Sequence, residues 1–297
     1  MEGQIYRYLR RCEALYSNDA FPCVLPPTAI IASPYEFTFA AMPMWGFMTK
    51  VTGFNTIREI AAYIRCTLTG LAFLHNHRIV HRDIHEWNIM VNWYCHNDQL
   101  DSCTQRPHDH HLSSSVLYAF IDFDLALQLP PATSLKHCRR PADEALITVP
   151  TYHPFDICQG ERHYNPFAFD VACLGNMFIF YFTEAITVVP ILAVLLSRMT
   201  TNVIGDRFTA AEALTFFCEV EAQLSQNMLD TGVALKASYD PLDNPDLYWS
   251  RLTPESQLRL QLHRPLPLSW TNRALRWLMT TRPGRKVIPF VRRALCI

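Results

Sequence analysis

The sequence predicts an α+β protein in which short strands share the chain with a mostly helical remainder. Three observations predict it. Apolar runs of strand length occur at 28–32, 36–42, 89–91 and 116–121, all in the first half of the chain. A helical pattern follows Thr56, with Ile57, Ile60, Ala61, Ile64, Leu68, Leu71 and Leu74 on one face. Two polar clusters are gripped by apolar residues: IVHRDIHEWNIMV over 79–91 and FIDFD over 120–124. A polar cluster set between apolar runs is a loop held rigidly over a core, which is how catalytic loops are built.

Taken in order, residues 2–17 place Ile5, Tyr8, Leu9, Cys12, Leu15 and Tyr16 at helical spacing. Glu2 stands where an acidic residue favours the start of a helix. Pro22, Pro26 and Pro27 give an extended connection to the first two strands. Thr56-x-x-Glu59 is a capping-box pattern that opens the long helix. Residues 95–114 contain Cys95, His96, Cys103, His108, Asp109, His110 and His111. A metal site and a solvated insertion between two strands are both open readings of that stretch. The stretch 171–196 is apolar enough to suggest a membrane span, but Asn176, Glu184 and Pro190 interrupt it. A buried core helix followed by a second helix is expected instead. Beyond 220, Pro241, Pro245, Pro254, Pro265 and Pro267 break the chain into loops and short helices. SWTNRALRWLMTT then forms an amphipathic helix with Trp270, Leu275, Trp277 and Leu278.

The chain has 297 residues, of which 49% are apolar, and a net charge of −1. That balance implies no global attraction to nucleic acid or membrane. The charge is unevenly placed. From Arg251 onward ten Lys/Arg face Glu255 alone, so 16 of the 26 basic and 26 of the 27 acidic residues lie in the first 250. Docking of the basic tail on the acidic body of the same chain is the simplest expectation. Ten cysteines occur without any C-x-x-C, and the charged start MEGQIYRYLRRC is unlike a signal peptide. Free thiols in a reduced, intracellular setting, cytoplasmic or nuclear, are expected.

His81-Arg82-Asp83 with Asn88, followed by Asp122-Phe123-Asp124, resembles the H-R-D-x-x-x-x-N and D-F-G segments of the protein kinases. The resemblance implies a protein kinase-like fold with a mostly helical large lobe and an incomplete small lobe. It assigns Asp83 as the carboxylate that orients the attacking hydroxyl, with Arg82 beside it and His85 at the position of the family's lysine. Asn88 and Asp122 become magnesium ligands, a hard-oxygen pair suited to that ion. His81 becomes structural support. Met42-Pro43-Met44-Trp45-Gly46 is similar to the inter-lobe hinge, so Met42, Pro43 and Trp45 meet adenine and Met90 forms the floor beneath it. Pro154-Phe155-Asp156 stands where the family has A-P-E. Phe169-Asp170-Val171-Ala172-Cys173-Leu174-Gly175 resembles the central buried helix, whose Asp170 hydrogen-bonds the catalytic loop. DRFTAAEAL at 206–214 carries Arg207, which pairs with Asp156. Thr133, Ser134, Thr148, Thr151 and Tyr152 are hydroxyls between these elements, and a phosphate added there would pair with Arg82.

The resemblance covers about residues 2–220 and divides the chain into a partial small lobe and hinge (1–45), a large lobe (46–220) and a basic extension (221–297). A similar hinge, HRD segment and basic Trp-containing tail are seen in a protein-kinase-like group abundant in higher fungi. Three departures stand out: the Gly-rich loop and phosphate-binding Lys are absent, His85 replaces a Lys, and Asp124 replaces the Gly of D-F-G. The chain is therefore read as a truncated or degenerate relative. The expected activity is ATP- and Mg²⁺-dependent phosphoryl transfer to Ser/Thr hydroxyls of a protein. A pseudokinase that binds a protein partner is the alternative. A small-molecule kinase of the aminoglycoside phosphotransferase type shares H-x-D-x-H-x-x-N and I-D-F, but Arg82 and the 169–175 and 206–214 segments match the protein kinases. No nucleic acid and no transmembrane segment are expected.

Overall fold

The computed structural model describes residues 2–17, 20–35, 37–47, 54–92, 116–147, 150–265 and 269–295. Helix α1 (Glu2–Leu9) buries Ile5, Tyr6 and Leu9. It is shorter than the helical spacing over 2–17 suggests. The Arg11 and Cys12 amides donate to the carbonyls of Tyr8 and Leu9, three residues back, at 3.0 and 2.9 Å. That tightening ends the helix, and Glu13–Tyr16 is a separate 3₁₀ turn.

Strands β1 (Ala29–Ala32) and β2 (Thr38–Ala41) form an antiparallel ribbon, with Ile31 opposite Phe39. Both side chains are more than half exposed. A sheet of three follows: β3 (Gly46–Phe47), β5 (Ile89–Val91) and β6 (Tyr118–Phe120) in the order β3-β5-β6. Phe47 pairs with Met90, and Ile89 with Phe120. Two smaller ribbons pair β4 (Ile79–Val80) with β7 (Leu127–Gln128), and β8 (Arg140–Pro141) with β9 (His163–Tyr164).

Helices carry most of the core. Helix α2 (Ile57–Asn76) opens on a capping box in which Thr56 accepts from the Glu59 amide and Glu59 accepts from the Thr56 amide. Its apolar face is fully buried, and it packs on α5 (Ala210–Glu221), which starts on a second capping box at Thr209 and Glu212. Helix α3 (Pro166–Phe182) is apolar all round and is followed by α4 (Leu192–Thr200). The segment Pro166–Thr187 is long and apolar enough to cross a membrane, but 94% of its most apolar window is buried inside the protein. Asn165 caps α3 by accepting from the Phe167 and Ala168 amides, with Pro166 in the first turn. Four short helices follow: α6 (Gln226–Leu229), α7 (Asp240–Asp243), α8 (Asp246–Trp249) and α9 (Pro254–Leu260). A helical hairpin, α10 (Trp270–Thr280) and α11 (Arg282–Leu295), ends the described chain. The six cysteines described in detail are all free thiols.

One glycine fixes how the front of the chain meets this core. The 22–25 connection bonds to the tip of β6 through Phe120 N to Cys23 O and Leu25 N to Phe120 O, both 3.0 Å. This junction crosses α2 at Gly70. A Cβ there would lie 2.5 Å from the Cys23 carbonyl and 2.7 Å from the Phe120 ring. Gly70→Val is expected to lower stability by about 1–3 kcal/mol in urea denaturation, because the crowding falls on backbone. Gly205→Ala, in open space, should shift it by less than about 0.5 kcal/mol.

Candidate active site

The site is assembled on a buried carboxylate. Asp170, from α3, is fully buried. Its Oδ2 accepts from the His81 amide at 2.7 Å and its Oδ1 from the Arg82 amide at 2.8 Å. His75 Nε2 lies 3.1 Å from the same Oδ2. Arg82 takes φ +66, in the left-handed region where non-glycine residues are uncommon. Such a conformation persists only where its surroundings over-determine it, and the two carboxylate bonds do so.

The His81 ring continues the construction. Its Nδ1 accepts from the Asp83 amide at 3.4 Å, so Nε2 carries the proton and donates to the Ile121 carbonyl at 2.9 Å. The ring lies 5.4 Å from both Phe120 and Phe123, and Phe123 meets Tyr6 of α1 edge-on at 5.4 Å. Helix α1, the 81–88 loop and the 121–124 loop therefore share one buried stack.

The polar groups of the two loops are linked in turn. Asn88 Nδ2 donates to both the backbone carbonyl and Oδ2 of Asp83, each at 2.9 Å. The Asn88 carbonyl accepts from the Ile121 amide at 3.0 Å, extending the β5–β6 ladder by one step. Asp122 follows at once, at φ +63, with its Oδ1 accepting from the Asp124 amide at 3.2 Å. Burial pushes the Glu2 carboxyl above its ordinary range, and Asp122 and Asp124 push it the same way. Glu2 opens α1, as its position in the sequence suggests, and it also faces this acidic pair. Among the described residues no ion pair offsets Glu2, Asp122 or Asp124.

This donor set suits magnesium. Asn88 Oδ1 has no hydrogen-bond donor among the described residues, and Asp122 supplies a carboxylate at the next position of the ladder. Magnesium binds through one or two such oxygens and completes its shell with water and phosphate. No group of three or more His, Cys, Asp or Glu side chains among the described residues could hold a metal by itself. The 95–114 stretch, with its His and Cys residues, lies outside the described residues.

The remaining expected residues fall into three places. His85 Nδ1 accepts from the Trp87 amide at 3.1 Å, which leaves Nε2 as the N–H donor of the ring. Met42, Trp45 and Met90 lie in one apolar cluster with Phe21, Leu25 and Ala119, and Pro43 is half-buried beside them. Met90 is only 8% exposed, and Phe21 and Trp45 pack at 5.6 Å. Arg207 donates to Asp156 at 2.8 Å and also to the Thr201 and Ala168 carbonyls.

The hydroxyl-rich segment needs correction. Arg82 is not waiting for a phosphate: it donates to the Leu125 carbonyl at 2.6 Å and the Glu144 carbonyl at 3.3 Å, with the Glu144 carboxylate 3.9 Å away. Arg140 holds that carboxylate with two bonds, at 3.1 and 2.6 Å. Tyr152 is buried and donates to Glu86 at 3.0 Å, so its hydroxyl is out of reach of modification. Tyr181 donates to the other Glu86 oxygen at 2.9 Å. Burial pushes both phenols up, and the Glu86 charge adds to it. Thr148 lies outside the described residues.

Glu86 and His153 escape sequence reasoning because the groups they meet lie far along the chain. The His153 imidazole is pushed down to about 4 by burial, against the opposing pull of Asp83. A neutral ring therefore sits within electrostatic reach of the candidate base. No family model matches the chain, and no curated protein matches it.

The His153 shift has a defined sign. Below an ordinary pKa of 6.5 the unfolded chain takes up a proton that the folded ring refuses until about 4. Stability therefore falls as pH drops through that window. His153→Gln is expected to flatten this part of the pH–stability curve measured by denaturation. An unchanged slope between these limits would show that the ring is not held neutral.

Proposed function

We propose that the chain is a protein kinase-like phosphotransferase that transfers the γ-phosphate of ATP to Ser/Thr hydroxyls of a protein. The reading rests on one observation above all. The Asn88 side-chain amide bonds the backbone carbonyl and one carboxylate oxygen of Asp83, while the Asn88 backbone carbonyl takes the Ile121 amide beside Asp122. These bonds support assigning a hydroxyl-orienting carboxylate and two hard metal-binding oxygens to one site.

The roles follow from chemistry. Phosphoryl transfer proceeds through a loose transition state, so positioning and charge stabilisation dominate over proton removal. Asp83 orients the incoming hydroxyl and accepts its proton late. Magnesium would be held by Asn88 and Asp122 and would neutralise charge on the phosphates. His85, whose Nδ1 accepts from the Trp87 amide, offers Nε2–H as a hydrogen bond to the transferring group. The Arg207–Asp156 pair and the Arg82–Glu144 contact order the 140–158 segment against which a protein substrate lies.

A second reading, a pseudokinase acting as a binding module, draws on two observations. Glu2 and Asp124 add negative charge beside Asp122 without a basic partner among the described residues. Met90 is covered by neighbouring side chains, so a base stacking there must displace them.

Thermal melting with Mg-ATP and a phosphate-transfer assay on Ser/Thr peptides separate the readings. The first expects stabilisation of about 2.7 kcal/mol at a hundredfold excess over Kd, lost in Asp122→Ala and kept in Asp83→Ala. Transfer should fall by about 10²-fold or more in Asp83→Ala. No melting shift and no transfer by the parent chain favour the binding module. Transfer that survives Asp83→Ala unchanged overturns the role given to Asp83.

A further inference from the structure

The basic hairpin α10–α11 is fastened to the protein by one face. Arg276 lies over the Phe155 ring at 3.7 Å, and Arg292 pairs with Glu161 at 2.8 Å. Ile288 rests on Gly160, where a Cβ would stand 2.7 Å from its side chain and where φ is +76. Within the hairpin, Gly284 packs directly under the Leu278 carbonyl. The tail does dock on the body, as its charge suggests, but these contacts use few of its groups.

The outer face is apolar and ringed by base. On α11, Val287, Phe290 and Val291 are 54, 71 and 41% exposed. With exposed Ala294 they repeat at i, i+3, i+4 and i+7, which makes one stripe. On α10, Trp270, Trp277 and Leu278 are 80, 67 and 38% exposed. From Ser256 to the end there are nine Lys/Arg and no Asp or Glu. Arg273, Arg282 and Lys286 form no ion pair among the described residues.

We propose that the outer face of the α10–α11 hairpin docks on an anionic phospholipid surface. Charge complementarity and side-chain type select this occupant. An acid-free basic segment suits anionic headgroups, and Trp and Phe seat at the boundary between headgroups and acyl chains. At 11 and 14 residues the two helices are too short to span a bilayer and lie flat on it. The proposal is independent of any nucleotide chemistry, since none of these residues belongs to the candidate cleft.

The test is flotation of the full chain with vesicles, either phosphatidylcholine alone or with about 30 mol % phosphatidylserine, at about 150 mM salt. Binding to the anionic vesicles is expected to exceed binding to neutral ones by about tenfold. The double variants Trp277→Ser/Phe290→Ser and Arg282→Glu/Lys286→Glu should each reduce it by about tenfold, with unchanged melting temperature. Phe37→Ser, at an exposed aromatic just before β2, should leave it intact. The proposal is overturned if anionic vesicles are not bound, if both vesicle types bind equally, or if the hairpin variants bind like the parent chain. Self-association through the hairpin in place of vesicle binding overturns it as well.

Discussion

A single buried carboxylate, Asp170, holds the backbone on which every candidate functional group depends. It takes two consecutive amides, those of His81 and Arg82, into one side chain at 2.7 and 2.8 Å. The chain turns to present these two amides to one side chain, and Arg82 adopts a left-handed backbone in that turn. The turn aims the His81 ring at the 121 carbonyl and Asp83 at Asn88. A buried charge is tolerated because every donor around it is spent on it. Removing that charge leaves the two amides and His75 without their shared acceptor.

The cleft so built is unbalanced in charge. Glu2 lies within electrostatic reach of Asp122 and Asp124, and its carboxyl is pushed up by burial first and by those two charges second. In the proposed function a cation balances these carboxylates, and hard oxygen donors suit magnesium better than softer metals. The segment across from it takes the opposite course. Arg82, Arg140 and Arg207 are each matched to a carboxylate, Glu144 or Asp156, so that segment is ordered by charges already in the chain.

Much of this was legible in the sequence where the signal is local. The capping box at Thr56 and Glu59, the all-round apolar α3 and the Asp83–Asn88 spacing are each contained in a short window. Boundaries were less legible. The apolar spacing over 2–17 continues past Leu9, yet the backbone tightens there, since spacing reports the buried face and not the hydrogen bonds that end a helix. Long-range polar partners were not legible at all. Glu86 meets Tyr152 and Tyr181 across 66 and 95 residues, and nothing in the local pattern of an acidic residue reveals a phenol that distant. The tail shows both cases: its charge predicted docking on the body, but only the fold shows which apolar side chains face outward.

Hydrogen exchange of the His81 and Arg82 amides in Asp170→Asn tests the central constraint most directly. A neutral amide offers one acceptor oxygen where the carboxylate offered two, and bonds to a charged group contribute about 1.5–3 kcal/mol each. Exchange at one or both amides should accelerate by about tenfold to a hundredfold while helices α2 and α5 keep their protection. Unchanged exchange at both amides would contradict the claim that Asp170 holds the loop.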